Sequence, residues 1–129
     1  MFLIKSNNSS RSFVFSNLRG DEFTFEIDGD MYGAVEVSTY TDQFGLLRLI
    51  ETCASYDRPW SGSKTWAAVD GNFDVAMSCS ALGVVDIVVN IAAYGVAEEW
   101  SIQARLETDL GRLAIVANEA RMFFKHENA

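Results

Sequence analysis

One histidine, one proline and two cysteines in 129 residues leave this chain short of the residues on which much enzyme chemistry depends. The histidine, His126, falls in a tail from His126 to Ala129 expected to fray, so a nucleophile–histidine–acid arrangement is not expected. Cys53 and Cys79 lie in apolar surroundings without CxxC spacing, and the expectation is two buried free thiols, not a disulfide or a zinc site. No glycines stand in GxGxxG or GxxxxGK[ST] order, which removes the sequence support for a dinucleotide site or a P-loop. No metal, cofactor or catalytic residue is assigned.

Long apolar runs are missing too. No window reaches the roughly eighteen apolar residues that a membrane span requires, and Met1 to Ser10 is far short of a signal-peptide core. A cytoplasmic bacterial protein without membrane contact is the expectation. Basic residues are few, ten against eighteen acidic ones, and the formal charge of −8 repels phosphate backbones, so no nucleic-acid partner is expected. That charge serves solubility in the plain reading. In the sharper one it attracts a partner with a basic surface.

What the chain does have is alternation. The stretch from Gly83 to Ala93 places Val85, Ile87, Val89 and Ile91 on one face at period two, while Asp86 and Asn90 interrupt the other. Phe13 with Phe15, then Phe23, Phe25 and Ile27, then Val35 and Val37, show the same pattern earlier, and Phe2 to Ile4 forms a short opening strand. Asp70-Gly71 is a tight-hairpin signal between Lys64 to Val69 and Phe73 to Cys79. Trp100, Ile102, Ala104 and Leu106 alternate with Ser101, Gln103, Arg105 and Glu107, predicting an apolar face headed by Trp100.

Two helices are predicted. The first runs from about Gln43 to Ser55 after a Thr41-Asp42 start, with Phe44, Leu47, Ile50 and Ala54 at helical spacing. The second starts at Thr108-Asp109 and ends near Phe124, covering the strand through Val89. The shared Thr-Asp and a glycine soon after, Gly45 and Gly111, raise a duplicated strands-then-helix unit, but that dipeptide alone does not establish one. The fold class is α+β in a single domain over 1–129: a mainly antiparallel sheet of about six to seven strands, arranged as N-terminal strands, a helix and a four-strand meander, packed on one face by two helices.

Candidate binding residues come from the wet side of that meander. Asp74, Asp86, Asn90, Gln103, Arg105 and Glu107 fall opposite the apolar positions on three strands expected to be neighbours, and form one polar patch. A solvated sheet face is the plain alternative. Trp60, beside the connector Asp57 to Ser63 that holds the only proline, is a candidate aromatic anchor if exposed, whereas Trp66 is expected in the core. Asp28 and Asp30 do not complete a calcium loop, since no glutamate stands at its twelfth position. No spacing selects a carboxylate pair for glycosidase chemistry.

The arrangement Trp60-Ser61-Gly62, Trp66, a hairpin, a Val/Ile-rich strand, Trp100 on an alternating strand, Gly111 and Phe123-Phe124 resembles an uncharacterised bacterial family of small acidic domains, over about Phe23 to Phe124. That resemblance implies no active site. In size and charge the chain is also similar to the immunity proteins that neutralise polymorphic toxins. The functional expectation is a non-enzymatic acidic protein-binding domain of immunity type whose partner is basic. A small-ligand or carbohydrate-binding domain, built on the Trp60 loop and the surplus carboxylates, and a homodimer-forming structural module are the alternatives.

Overall fold

Four strands, a helix, four more strands and a second helix follow one another along the chain: β1 (Phe2–Lys5), β2 (Ser12–Arg19), β3 (Glu22–Asp28), β4 (Gly33–Ser38), α1 (Gly45–Ala54), β5 (Lys64–Ala67), β6 (Phe73–Cys79), β7 (Val84–Ala93), β8 (Trp100–Asp109) and α2 (Leu113–His126). The structure, a computed structural model, describes residues 1–126. His126 closes α2, and residues 127–129 of the expected tail lie outside the described residues. The class is α+β and every strand pairing is antiparallel. The strands form two separate four-stranded sheets, β1-β2-β3-β4 and β5-β6-β7-β8, each a simple meander. The order of elements in one half of the chain thus recurs in the other.

Register explains the core. In the first sheet Phe2, Phe15, Phe25 and Val35 stand in one cross-strand row, with Ile4, Phe13, Ile27 and Gly33 in the next. In the second, Trp66, Val75, Val89 and Ala104 form a row, flanked by Phe73, Ile91 and Ile102 on one side and Met77, Ile87 and Leu106 on the other. Period-two alternation turns each row to one face, and aromatic and β-branched neighbours there pack closely. The two faces meet at Gly33, where a β-carbon would lie 2.8 Å from Ile102 Cδ1 and 3.2 Å from Ile91 Cδ1. Glycine lets β4 approach the second sheet.

The helices pack on each other, tied by Arg121 Nε donating to Glu51 Oε2 at 2.8 Å. Phe123 and Phe124 of α2 reach the first sheet, at ring centroid distances of 6.4 and 5.6 Å from Phe23, and Phe123 also meets Phe2. The aromatic rings of α2 therefore meet β1 and β3, whereas the expected cover for the β7 face was this helix. No helix among the described residues is long and apolar enough to cross a membrane.

Both helix starts differ from expectation. Asp42 lies ahead of α1 without capping it: its backbone C=O accepts from Gly45, and its carboxylate takes Arg48 Nη2 at 2.6 Å and Trp66 Nε1 at 3.3 Å. Thr108 continues β8 opposite Val85, buried, and a 3-10 turn over Leu110–Arg112 delays α2 to Leu113. The strand's ladder outcompetes the local capping preference of Thr108-Asp109.

One edge of the second sheet is closed by the first. The β1–β2 turn lies against β8: Asn7 N–H donates to the Glu107 carbonyl at 3.0 Å, and Arg11 Nη1 to the Arg105 carbonyl at 2.8 Å. Arg11 also grips Asp30 through two nitrogens, at 3.1 and 3.0 Å, and holds that carboxyl below its usual range. Asp30 is thereby committed to an ion pair.

Candidate functional site

Side chains at even positions of β6 and β7 and odd positions of β8 point away from the core, because each faces its registered partner across the pleat. This brings Asp74, Asn90 and Gln103 into one row and Asp86 and Glu107 into another. Arg105 stands between them opposite Val88 and Ala76. All six predicted polar residues share one surface.

They also bond to one another. Gln103 Nε2 donates to Asn90 Oδ1 at 3.0 Å, and Asn90 Nδ2 donates onward to Asp74 Oδ1 at 2.8 Å. Arg105 donates to Asp86 through Nε at 2.9 Å and bridges to Glu107 with Nη2, while Asn8 Nδ2 reaches Glu107 Oε2 at 3.3 Å. The Asp86 carboxylate, by its hydrogen bond and its charge, raises the Arg105 pKa further, and Glu107 adds to this. Three carboxylates against one guanidinium leave the face net negative, yet each is engaged. The arrangement is a hydrogen-bonded lattice in which each carboxylate accepts from a neighbouring side chain.

Trp60 is not on a surface. It is 7% exposed and stacks on Tyr56 with ring centroids 5.4 Å apart, so as a binding residue it is corrected to a core residue. The connector around Pro59 turns the indole inward, where its large apolar area stabilises more than it would in water. Trp66, half-buried, packs on Phe73 at 6.0 Å, as expected for a core-capping ring. Trp100 reverses the other way. Though aligned with the apolar face of β8, it is 39% exposed, because it begins the strand opposite Ala93, at the sheet's end.

Around Trp100 lies a surface the sequence reading did not single out. A groove is lined by Ala34 and Glu36 of β4, Asp70 and Asn72 of the β5–β6 turn, Tyr94 of the β7–β8 connection and Trp100 at the start of β8, with Ala92 and Ala93 also lining it. Tyr94 is exposed, as are Val96 in the same connection and Val69, next to Asp70 in sequence. Its lining includes two carboxylates and no lysine or arginine, although Glu36 also pairs with Arg19 at 3.1 Å. Glu98 and Glu99 follow in the same connection. Three chain segments far apart in sequence build it, so no local motif marks it; the sole signal was an unusual density of aromatic and acidic residues from Tyr94 to Trp100.

Among the described residues, no three His, Cys, Asp or Glu side chains gather as ligands for a metal. The chain belongs to a family of unknown function, DUF6228, whose model matches residues 5–127. No curated protein and no solved structure matches it.

Proposed function

We propose that this chain is a non-enzymatic protein-binding domain for a partner with a basic surface, of the kind that an immunity-type inhibitor meets in a bacterial toxin. One observation carries the reading: Tyr94 and Trp100 stand exposed on a groove whose charged lining is entirely acidic. Exposed tryptophan and tyrosine supply large contact area at low entropic cost, and carboxylates around them steer a cationic partner into place. The negative lattice on the outer face of the second sheet extends the same field, Asn90 lying two residues along β7 from Ala92. Its carboxylates already hold partners in the sheet, which favours a recognition surface over a catalytic one. Of the two supports for the carbohydrate reading, the Trp60 loop and the surplus carboxylates, the first is weakened because Trp60 is buried.

The test is retention of a purified cationic protein encoded by the adjacent gene, on immobilised full-length chain. Retention at low salt, release at high salt and loss on Trp100→Ala are the expected results. No retention at low salt, or retention indifferent to Trp100→Ala and Asp70→Asn together, overturns the proposal.

A further inference from the structure

We propose that the outer edge of β4 receives an extended, lysine- or arginine-bearing segment of the partner as a fifth strand of the first sheet. This inference rests on the protein-binding reading and adds to it the mode of engagement.

β4 pairs with β3 alone, so one side of its backbone faces away from the sheet. Alternation along an antiparallel strand tells which groups those are. Thr39 N–H donates to the Asp21 carbonyl, which assigns odd positions to the β3 side, and the Glu36 carbonyl accepts from the Asn72 side chain, which assigns even positions to the outer side. The N–H and C=O of Ala34 and the N–H of Glu36 therefore point outward.

Asn72 shows what this edge accepts. Its Nδ2 donates to the Glu36 carbonyl at 2.8 Å, as a peptide N–H of a neighbouring strand would, while its Oδ1 is buried without a partner. The carboxamide thus stands where one peptide unit of an added strand would sit, on a residue that lines the groove. Peptide binding by strand addition uses this combination of main-chain bonds at an edge with a bordering recess for side chains.

The groove runs beside Ala34 and Glu36, and Ala92 and Ala93 leave room against it for a backbone. Charge selects the occupant. Asp70 lines the groove with Glu36, which already pairs with Arg19, and no basic residue lines it; the remaining negative charge attracts cationic side chains and disfavours a second copy of this acidic chain adding its own β4. The two sheets also differ at their edges: β8 takes both a backbone and a side-chain bond from the β1–β2 turn, whereas β4, reading Gly-Ala-Val-Glu-Val-Ser, is met by Asn72 at the Glu36 carbonyl and carries neither proline nor lysine to blunt it.

The experiment uses the full chain, isotope-labelled, and a synthetic peptide of alternating lysine and valine. Expected are shifted amide signals for Ala34 and Glu36 with slowed hydrogen exchange at both. A copy of the peptide N-methylated at alternate residues should bind at least about tenfold more weakly, the effect of losing one to two edge hydrogen bonds. A glutamate-for-lysine peptide should not bind. On the protein side, Glu36→Pro removes the outward N–H at an edge position that tolerates proline, and should weaken the lysine peptide similarly. The N-methylated peptide reports the same loss without touching the fold.

Absent shifts, shifts confined to the face around Asp86 and Arg105, or self-association through β4 each overturn the inference. If the cationic partner is released by Trp100→Ala but held equally by Glu36→Pro and wild type, strand addition falls and the protein-binding reading stands. If the partner is never retained, that reading falls first.

Discussion

Phe25 and Phe73 meet edge to face, their ring centroids 4.9 Å apart at an angle of 66°, and so join the two sheets. Phe73 also meets Phe23 and Trp66, which makes it the ring through which β3 and β5 sense each other. Such contacts add roughly 0.5–1.5 kcal/mol each beyond the area buried. Phe73→Ala should destabilise by about 3–5 kcal/mol in urea titration. A loss under 1 kcal/mol would contradict its role as the link between sheets.

Gly45 opens α1 where nothing larger fits. A β-carbon there would lie 2.1 Å from both Asp42 Oδ2 and Trp66 Nε1, which are themselves hydrogen-bonded. Gly45→Ala, ordinarily helix-favouring, should instead cost roughly 1–3 kcal/mol by overpacking and shift Trp66 emission. Unchanged fluorescence with raised stability would show that Asp42 and Trp66 are free to move apart.

Buried and exposed tryptophans should separate cleanly. Trp60→Ala empties a core site and should cost about 3–5 kcal/mol while leaving partner retention intact in the folded fraction. Trp100→Ala should leave the urea midpoint nearly unchanged and abolish retention. Swapped outcomes would return the binding role to Trp60.

The Arg11–Asp30 pair sets a pH dependence with a definite sign. Arg11 lowers the Asp30 pKa from 3.8, so the folded state holds the proton more weakly than the unfolded chain does. The associated stability is present above pH 3.8 and is lost as pH falls through the lowered folded value. Arg11→Ala should reduce the steepness of acid unfolding in that window, measured by circular dichroism, and an identical profile would dismiss the pair as a source of stability.

Cysteine reactivity should follow burial. Removal from water pushes the Cys53 thiol up to about 11 and also raises Cys79, which remains partly accessible. Thiolate is the reactive form, so at neutral pH Cys79 should be alkylated slowly and Cys53 only on unfolding. A folded pKa above the unfolded 9.0 means that the neutral Cys53 thiol adds stability fully present below pH 9.0 and lost as pH rises towards 11. Rapid labelling of both thiols in the native chain would refute this.

Much of the fold was legible because alternation names the face of each strand. Phe13, Phe15, Phe23, Phe25 and Ile27 were placed inward by period two alone, and all are buried. Periodicity does not name partners, however, and the division into two sheets rests on contacts such as Gly33 against Ile91 and Ile102 that no local pattern encodes. The helix starts failed for a related reason: Asp42 and Thr108 carry capping chemistry, but tertiary demands from Trp66, Arg48 and the β7 ladder claimed them. The polar lattice of the second sheet was readable as a co-facial set. The groove was not, since Glu36, Asn72 and Trp100 become neighbours only once both sheets exist. Trp100 misled because a strand-end residue keeps the alternation of its strand after the opposing layer has run out.

The turn laid over β8 also sets an order in time. Asn7 and Arg11 find their acceptors on Glu107 and Arg105, strand residues made much later, 94 positions on in the case of Arg11. The β1–β2 hairpin can therefore be fastened in place only after β8 has been made, and until then its donors wait in water. Of these two elements, the one made earlier waits on the one made later.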